Sequence, residues 1–430
     1  MKIETAGAEG QPERAVAGPL PVFETQLLDE HVKVERWLRE QWQRTPPPFY
    51  ASVDLRNAGD KLAPVDTNLF PAGFNNLSAR CAPLAVQAVQ TALERLCPGS
   101  CEILLIPENH TRNLHYLENV GTLETLLEQA GFGVRVGSLL PDLTAARDVD
   151  LPSGRSLRLH PIERRGDVLY ADGIKACVVL LNNDLSAGRP ALLEGISQTL
   201  QPPLHAGWTQ RRKSVHFDHY RDVAREFGAL LGLDPWRVDP LFLRCGTVDF
   251  MQREGEDCLV HNVGTLLKQI RAKYAEHGIE REPFVIIKAD AGTYGMGVMT
   301  ARSVDDVRDL NRKQRTRMAA SKEGLAVTEV IVQEGVYSFE TVGEPPAVIE
   351  PVIYMIGACV VGGFYRVHTG RGPDENLNAP GMHFEPLAFG DACNTPDPAF
   401  GPRAGRNRLY TYGVVARLAA LAAARELAAT

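Results

Sequence analysis

Lys288 closes an apolar run, Phe284-Val-Ile-Ile, and three glycines follow it: Gly292, Gly295 and Gly297. Strand character resumes at Val298-Met299-Thr300. A lysine projecting from a strand can reach phosphate oxygens. Glycine lets loop N–H groups come close to the same oxygens. Tyr294 and Met296 sit inside this loop and join the candidate nucleotide contacts. The order decides among nucleotide loops. A dinucleotide fingerprint needs GxGxxG opening a helix, and a P-loop needs GKS or GKT. A kinase loop has its lysine downstream. Here the spacing is GxxGxG, the loop joins two strands, and Lys precedes the glycines. The alternative is a glycine hairpin that only turns the chain.

The second half adds groups suited to the same chemistry. Val327 to Val332 reads as a strand leading into Gln333-Glu334-Gly335-Val336, a hinge whose backbone can meet an adenine edge. Ala347–Ile356 and Ala358–Val367 read as a hairpin turning near Gly362-Gly363, with Glu350 on one strand and Arg366 on the other. The loop from Gly370 to Gly381 carries Arg371, Asp374, Glu375, Asn376 and Asn378. Oxygen ligands beside a triphosphate are what Mg2+ requires. A solvated turn rich in Asn and Gly is the competing reading of that loop.

Ser52 to Asn76 mixes Asp54, Arg56, Lys61, Asp66 and Asn68 with Pro, Gly and Phe. Cations for a carboxylate and Asp for an ammonium suit a zwitterionic amino acid. Asn109 and Arg112 follow the EILLIP segment, at a strand's C-terminal end, with Arg112 as a carboxylate clamp. A capped turn between strand and helix explains the same residues. Trp208 to His216 concentrates Arg211, Arg212 and Lys213 and reads as a phosphate- or carboxylate-facing loop at a domain cleft. Arg211 joins the substrate candidates, as does Asn376. No Ser/His/Asp or Cys/His constellation stands out.

These groups need a scaffold. Phe23 to Arg44 has apolar residues on one helical face, and Pro46-Pro47-Pro48 stops it. Helices are expected over Pro83–Cys97, Thr122–Ala130 and Val263–His277, and strands over Glu102–Pro107, Val134–Leu140 and Ala176–Leu181. Ser303 and Asp306 have capping-box spacing. The Ala-rich segment from Tyr412 to Ala429 reads as a packed helix. This alternation predicts an α/β fold with a largely parallel sheet. Residues 1–20 read as a loose tail, 21–205 as an α/β substrate domain and 206–430 as a nucleotide-binding domain.

The 430 residues carry 46 Lys+Arg and 53 Asp+Glu, a formal net charge of −7. Composition is ordinarily globular, which excludes a disordered, collagen-like or coiled-coil chain. The acidic balance gives no bulk attraction for nucleic acid or acidic membrane. No stretch reaches the ~18 apolar residues of a membrane span. The eight cysteines lack metal spacing and read as reduced thiols, with the cytoplasm as compartment. Self-association into a homo-oligomer stays open.

KADAGTYGMG and YRVHTGRGPDENLNAPG resemble the lysine strand, glycine loop and later Arg–Asn loop of the ATP-grasp fold, in its glutathione-synthetase-like branch. FVIIKADAGTYGMGVMT, SVDLRNAGDKLAPVDTNLFPAGFNNL and LIPENHTRNLHYLENV resemble a family of bacterial glutamate–cysteine ligases. The resemblance spans about Ser52 to Gly381. It implies a pre-ATP-grasp-like α/β domain joined to an ATP-grasp domain. It also implies ATP and Mg2+, with glutamate and cysteine as substrates. The γ-carboxylate would attack ATP to give an acyl phosphate, and the cysteine amine would displace phosphate. Lys288 and Arg366 would be the catalytic cations. Lys288, Gly292, Tyr294, Gly295, Met296, Gly297, Gln333, Glu334 and Val336 would hold the nucleotide. The branch's late Glu-x-Asn metal strand has no clear equivalent after Gly381, which leaves Glu350, Glu375, Asn376 and Asn378 as metal candidates. Another ATP-grasp carboxylate–amine ligase, a carboxylate kinase or a non-catalytic ATP-binding protein are the alternatives.

Overall fold

The computed structural model describes residues 16–19, 21–99, 101–109, 113–292, 297–319, 327–387, 396 and 405–430. Among these, strands of two or more residues form three sheets of six, eight and four strands, a mixed α/β architecture.

The six-stranded sheet is antiparallel. Its order is His383–Pro386, Cys359–His368, Ala347–Ile356, Tyr50–Asn57 and Leu62–Asn68, with Thr341–Val342 added beside Ala347–Ile356. It therefore joins strands from both sides of residue 206. Side chains alternate along each strand. Val53, Leu55, Ile349, Ile353 and Val367 pack on one face against the helix Gly405–Ala428. That helix buries Ala416, Ala419, Ala420, Ala422 and Ala423 completely. Its small residues let sheet and neighbouring helices close around it, as expected of a helix apolar on most sides. The alternate positions, Asp54, Arg56, Asp66, Glu350 and Arg366, fall on the opposite face. Asp54 stands across from Asp66, and Glu350 across from Arg366.

The eight-stranded sheet is parallel through Thr199–Gln201, Val178–Asn182, Glu102–Pro107, Gly133–Ser138 and Ser156–Arg165. Its remaining pairings are antiparallel. Val178 to Leu181 are all buried, the continuous apolar run of a strand covered on both faces. Helices Ala82–Leu96 and Leu114–Gln129 contribute to its core.

The four-stranded sheet runs Phe242–Thr247, Glu329–Glu334, Val285–Ala289, Val298–Ala301, all antiparallel. Val285, Ile287, Val330 and Val332 pack with the helix Glu256–Glu276. Ile286, Lys288 and Gln333 alternate to the other face.

Several expectations need correction. The hairpin turns at Gly357, whose φ of +56° suits glycine, and not at Gly362-Gly363. Gly363 lies within the second strand, where a Cβ would come 2.5 Å from the carbonyl oxygen of Val352. The helix expected over Phe23–Arg44 divides into Glu24–Asp29 and His31–Arg44. Parallel pairing is confined to the eight-stranded sheet. The capping box is present: Ser303 N–H donates to Asp306 Oδ2 (2.9 Å) and Asp306 N–H to Ser303 Oγ (3.3 Å). No helix among the described residues is long and apolar enough to cross a membrane.

Candidate active site

Lys288 extends from the four-stranded sheet and donates its Nζ to the carbonyl of Val65, on strand Leu62–Asn68 of the six-stranded sheet, at 2.6 Å. This contact joins the lysine strand to the sheet face that carries the polar residues. The ammonium is buried, lies 5.3 Å from the centroid of the Phe217 ring, and has no carboxylate in ion-pair contact among the described residues. Burial lowers its pKa to about 8, against the opposing pull of Asp66, Asp54 and Asp290.

The polar face of the six-stranded sheet carries a charge tetrad. Arg56 Nε donates to Glu350 Oε1 at 2.6 Å, and Arg366 Nη1 to Glu350 Oε2 at 3.0 Å. Arg366 also binds Asp54 Oδ2 through both terminal nitrogens at 3.0 Å. Two carboxylates and two guanidiniums balance, which is what a buried group of charges requires. Arg366 Nε is buried and has no hydrogen-bond partner among the described residues. Arg56 reaches further, to the carbonyls of Val336 (3.1 Å), Pro373 and Glu375. It thereby ties the hinge and the loop Gly370–Gly381 to this wall.

The facing aspartates differ. Enclosure raises the pKa of Asp54; Arg366 offsets this only in part, and Asp66 and Glu350 add to it. Enclosure also disfavours ionised Asp66, but Lys213, Lys288 and Arg211 outweigh it and hold that carboxyl well below its ordinary range. The two facing carboxyls are therefore shifted in opposite directions.

Sequence reasoning placed Lys213 in a basic loop but did not single it out. It opens the helix Lys213–Leu231, and its Nζ sits 2.9 Å from Asp66 and 4.0 Å from the centroid of the Trp208 ring. Asp290, two residues past Lys288, accepts the Ser214 N–H and hydroxyl, both at 2.7 Å. The Asp290 carbonyl accepts the Lys213 N–H at 2.8 Å. The lysine strand and this helix end are thus locked together. A cation at a helix N-terminus opposes the helix dipole, and that was the available signal.

Lys61, Glu334, Arg211 and Asn68 have structural partners. Lys61 forms a buried pair with Glu334 at 2.5 Å, and Glu334 also accepts from Trp236 Nε1 and Leu241 N–H. The Glu334 side chain is therefore taken up, and the N–H groups of Glu334 and Gly335 already donate to Leu241 and Phe284. Gln333 is buried, and its Nε2 has no hydrogen-bond partner among the described residues. Arg211 is held by Glu426 (2.9 and 3.0 Å) and donates to the Thr67 carbonyl (2.7 Å). Asn68 accepts the Phe70 N–H at 2.9 Å in a local turn. Asn109 is exposed, and Gly292 and Gly297 have positive φ. Tyr294, Gly295, Met296 and Arg112 lie outside the described residues.

Three of the four metal candidates have oxygens engaged by protein donors. Both oxygens of Glu350 accept from arginines. Glu375 is taken by Arg371 (2.7 Å) and the Gly372 N–H (2.7 Å). Asn376 Oδ1 accepts the Asn378 N–H at 2.9 Å, and Asn378 is half-buried. Among the described residues, the one convergence of three His, Cys, Asp or Glu side chains is Asp234, Glu276 and His277. The Lys273 ammonium lies 2.9 Å from both Asp234 and Glu276.

Comparisons with known proteins bear on this site. A family model described as glutamate-cysteine ligase matches residues 24–427. The structure of a candidate γ-glutamylcysteine synthetase from Methylobacillus flagellatus KT is 56% identical, covers 97% of this chain and 100% of that chain, and superposes with a TM-score of 0.90. A glutathione synthetase-like effector from Globodera pallida aligns at 8% identity over 82% of this chain and 83% of that chain, with a TM-score of 0.34. The search of curated proteins gives no match. The class is that of ATP-dependent ligases. Within it, the chain belongs to the glutamate–cysteine ligase family.

Proposed function

We propose that this chain joins the γ-carboxylate of glutamate to the amine of cysteine through an acyl phosphate, with ATP lying between the four- and six-stranded sheets in an ATP-grasp arrangement. The observation that carries this reading is Lys288, a buried ammonium without a carboxylate in ion-pair contact among the described residues, bonded to the six-stranded sheet whose polar face carries Asp54, Arg366, Glu350 and Arg56. Lys288 and Lys213 supply positive charge for the transferring phosphoryl group. Phosphoryl transfer needs positioning and charge neutralisation more than a protein nucleophile. The orphan Nε of Arg366 is a donor for the glutamyl carboxylate or the acyl phosphate.

The glutamate γ-carboxylate oxygen attacks the γ-phosphorus, and ADP leaves. The cysteine amine then attacks the acyl carbon, the C–O bond to phosphate breaks, and the nitrogen gives up its proton. Asp54 is the acceptor, because burial raises its pKa while Lys213 and Lys288 hold that of Asp66 down. Mg2+ enters this reading only as part of the nucleotide substrate, and no step is assigned to a protein-bound ion. The amino-acid substrates fall chiefly to residues 21–205 and the nucleotide to residues 206–430, with the shared six-stranded sheet as the seam. The cytoplasm remains the proposed compartment, in keeping with the chain's eight cysteines and the absence of disulfides among the described residues.

A coupled ADP assay over a panel of acids and amines tests the reading. ADP release is expected only when glutamate and cysteine are both present. Release that persists unchanged without glutamate, or that prefers another acid–amine pair, would reject the substrate assignment.

A further inference from the structure

A cavity of about 600 Å³ is lined by none of the candidate active-site residues. One wall is a face of the helix His31–Arg44: Glu35, Leu38, Arg39 and Trp42 follow helical spacing. Arg95 comes from the end of helix Ala82–Leu96, and Arg417 from the helix Gly405–Ala428. Pro46 and Ala358 complete the apolar part of the lining.

The charges do not cancel. Arg417 is buried and held by Glu35 through two contacts of 2.8 Å. That pair is neutral. Arg39 and Arg95 are exposed to the cavity side of the surface and have no carboxylate partner among the described residues. The lining therefore carries two uncompensated guanidiniums in a chain whose formal net charge is −7. Cys359 lies close to this wall: burial raises its thiol pKa, and Arg417 and Arg95 both pull it down. Guanidinium groups bind carboxylates through paired donors. The Trp42 indole, Leu38 and Pro46 offer an apolar surface beside them. A volume of this size is that of a small-molecule site.

We propose that this cavity binds a small dicarboxylate with an apolar body, one carboxylate at Arg39, the other at Arg95, and the body against Trp42. The site is separate from the catalytic cleft. Ala358 follows Gly357 in the turn of the hairpin that carries Glu350 and Arg366, and six residues of extended strand lead from Glu350 to Ile356 just before that turn, roughly 20 Å.

Isophthalate serves as probe, with benzoate and neutral isophthalamide as controls, by calorimetry on the full chain. The titration is repeated with saturating glutamate and a non-hydrolysable ATP analogue. Isophthalate is expected to bind at least tenfold more tightly than benzoate, and equally well with the substrates present. Arg39→Ala and Arg95→Ala each should weaken it tenfold or more. Both side chains are exposed, so the variants should fold, which circular dichroism checks. No isophthalate binding, binding unchanged by both substitutions, or displacement by glutamate and nucleotide would each overturn the proposal.

Discussion

Lys288→Met is expected to lower kcat by about 10²- to 10³-fold, the usual effect of removing one preorganised charge-stabilising group from an active site. Its folded structure should survive. Burial drives the Lys288 pKa down from 10.5 to about 8. The unfolded chain therefore holds more protons than the folded one between about pH 8 and 10.5, and this group's contribution to stability rises with pH through that window. Below pH 8 the charged lysine is a burden on the fold, by ~3 kcal/mol at most. Replacing it with an apolar side chain should thus keep or raise Tm at pH 7 while turnover collapses. Nucleotide binding has a matching signature. A triphosphate restores the charged form, so wild-type protein should take up protons on binding ATP near pH 8 to 9, and affinity should fall at higher pH. Calorimetry in buffers of different ionisation enthalpy measures that uptake, and Lys288→Met should lose it. Normal turnover in the variant, or a wild-type binding reaction without proton uptake at pH 8.5, would contradict the role given to Lys288.

Glu350→Ala is expected to destabilise the protein by about 3–5 kcal/mol, because removing one member of a buried ionic group strands the others. Glu350 is 3% exposed and accepts from both Arg56 and Arg366. Without it, two guanidiniums share the single carboxylate of Asp54. Arg56 would also lose the anchor that lets it hold the Val336, Pro373 and Glu375 carbonyls. Urea unfolding followed by tryptophan fluorescence should show a lower midpoint with little change of slope. An unchanged midpoint would show that the tetrad is not the coupled group described above. This expectation also separates two roles for Glu350. A metal ligand would lose activity with little loss of stability, whereas a member of the tetrad loses both.

What the sequence disclosed follows from physical range. Lys288 and its glycines are readable because strand, loop and strand are contiguous and each has a local signature. The capping box of Ser303 and Asp306 is readable for the same reason. Glu350 and Arg366 were placed on opposite strands of one hairpin, and the register pairs them directly. The turn was misplaced because Gly362 and Gly363 look like stronger turn residues than Gly357, and only the pairing shows that Gly363 is needed for close approach to Val352. Contacts across the chain carried no local signal. Arg56 lies 294 residues from Glu350, and Lys61 lies 273 from Glu334. Nothing near Arg211 announces Glu426, 215 residues away, as its partner. Residue type marked these positions as charged. It could not say which charges face a ligand and which face one another.

The most direct test of the central claim follows an oxygen atom. Glutamate labelled with 18O in its γ-carboxylate is turned over with ATP and cysteine, and the released phosphate is analysed by mass spectrometry. An acyl phosphate on that carboxylate predicts one 18O atom in each phosphate, transferred when the cysteine nitrogen displaces it. Phosphate carrying no 18O while γ-glutamylcysteine accumulates would contradict the account.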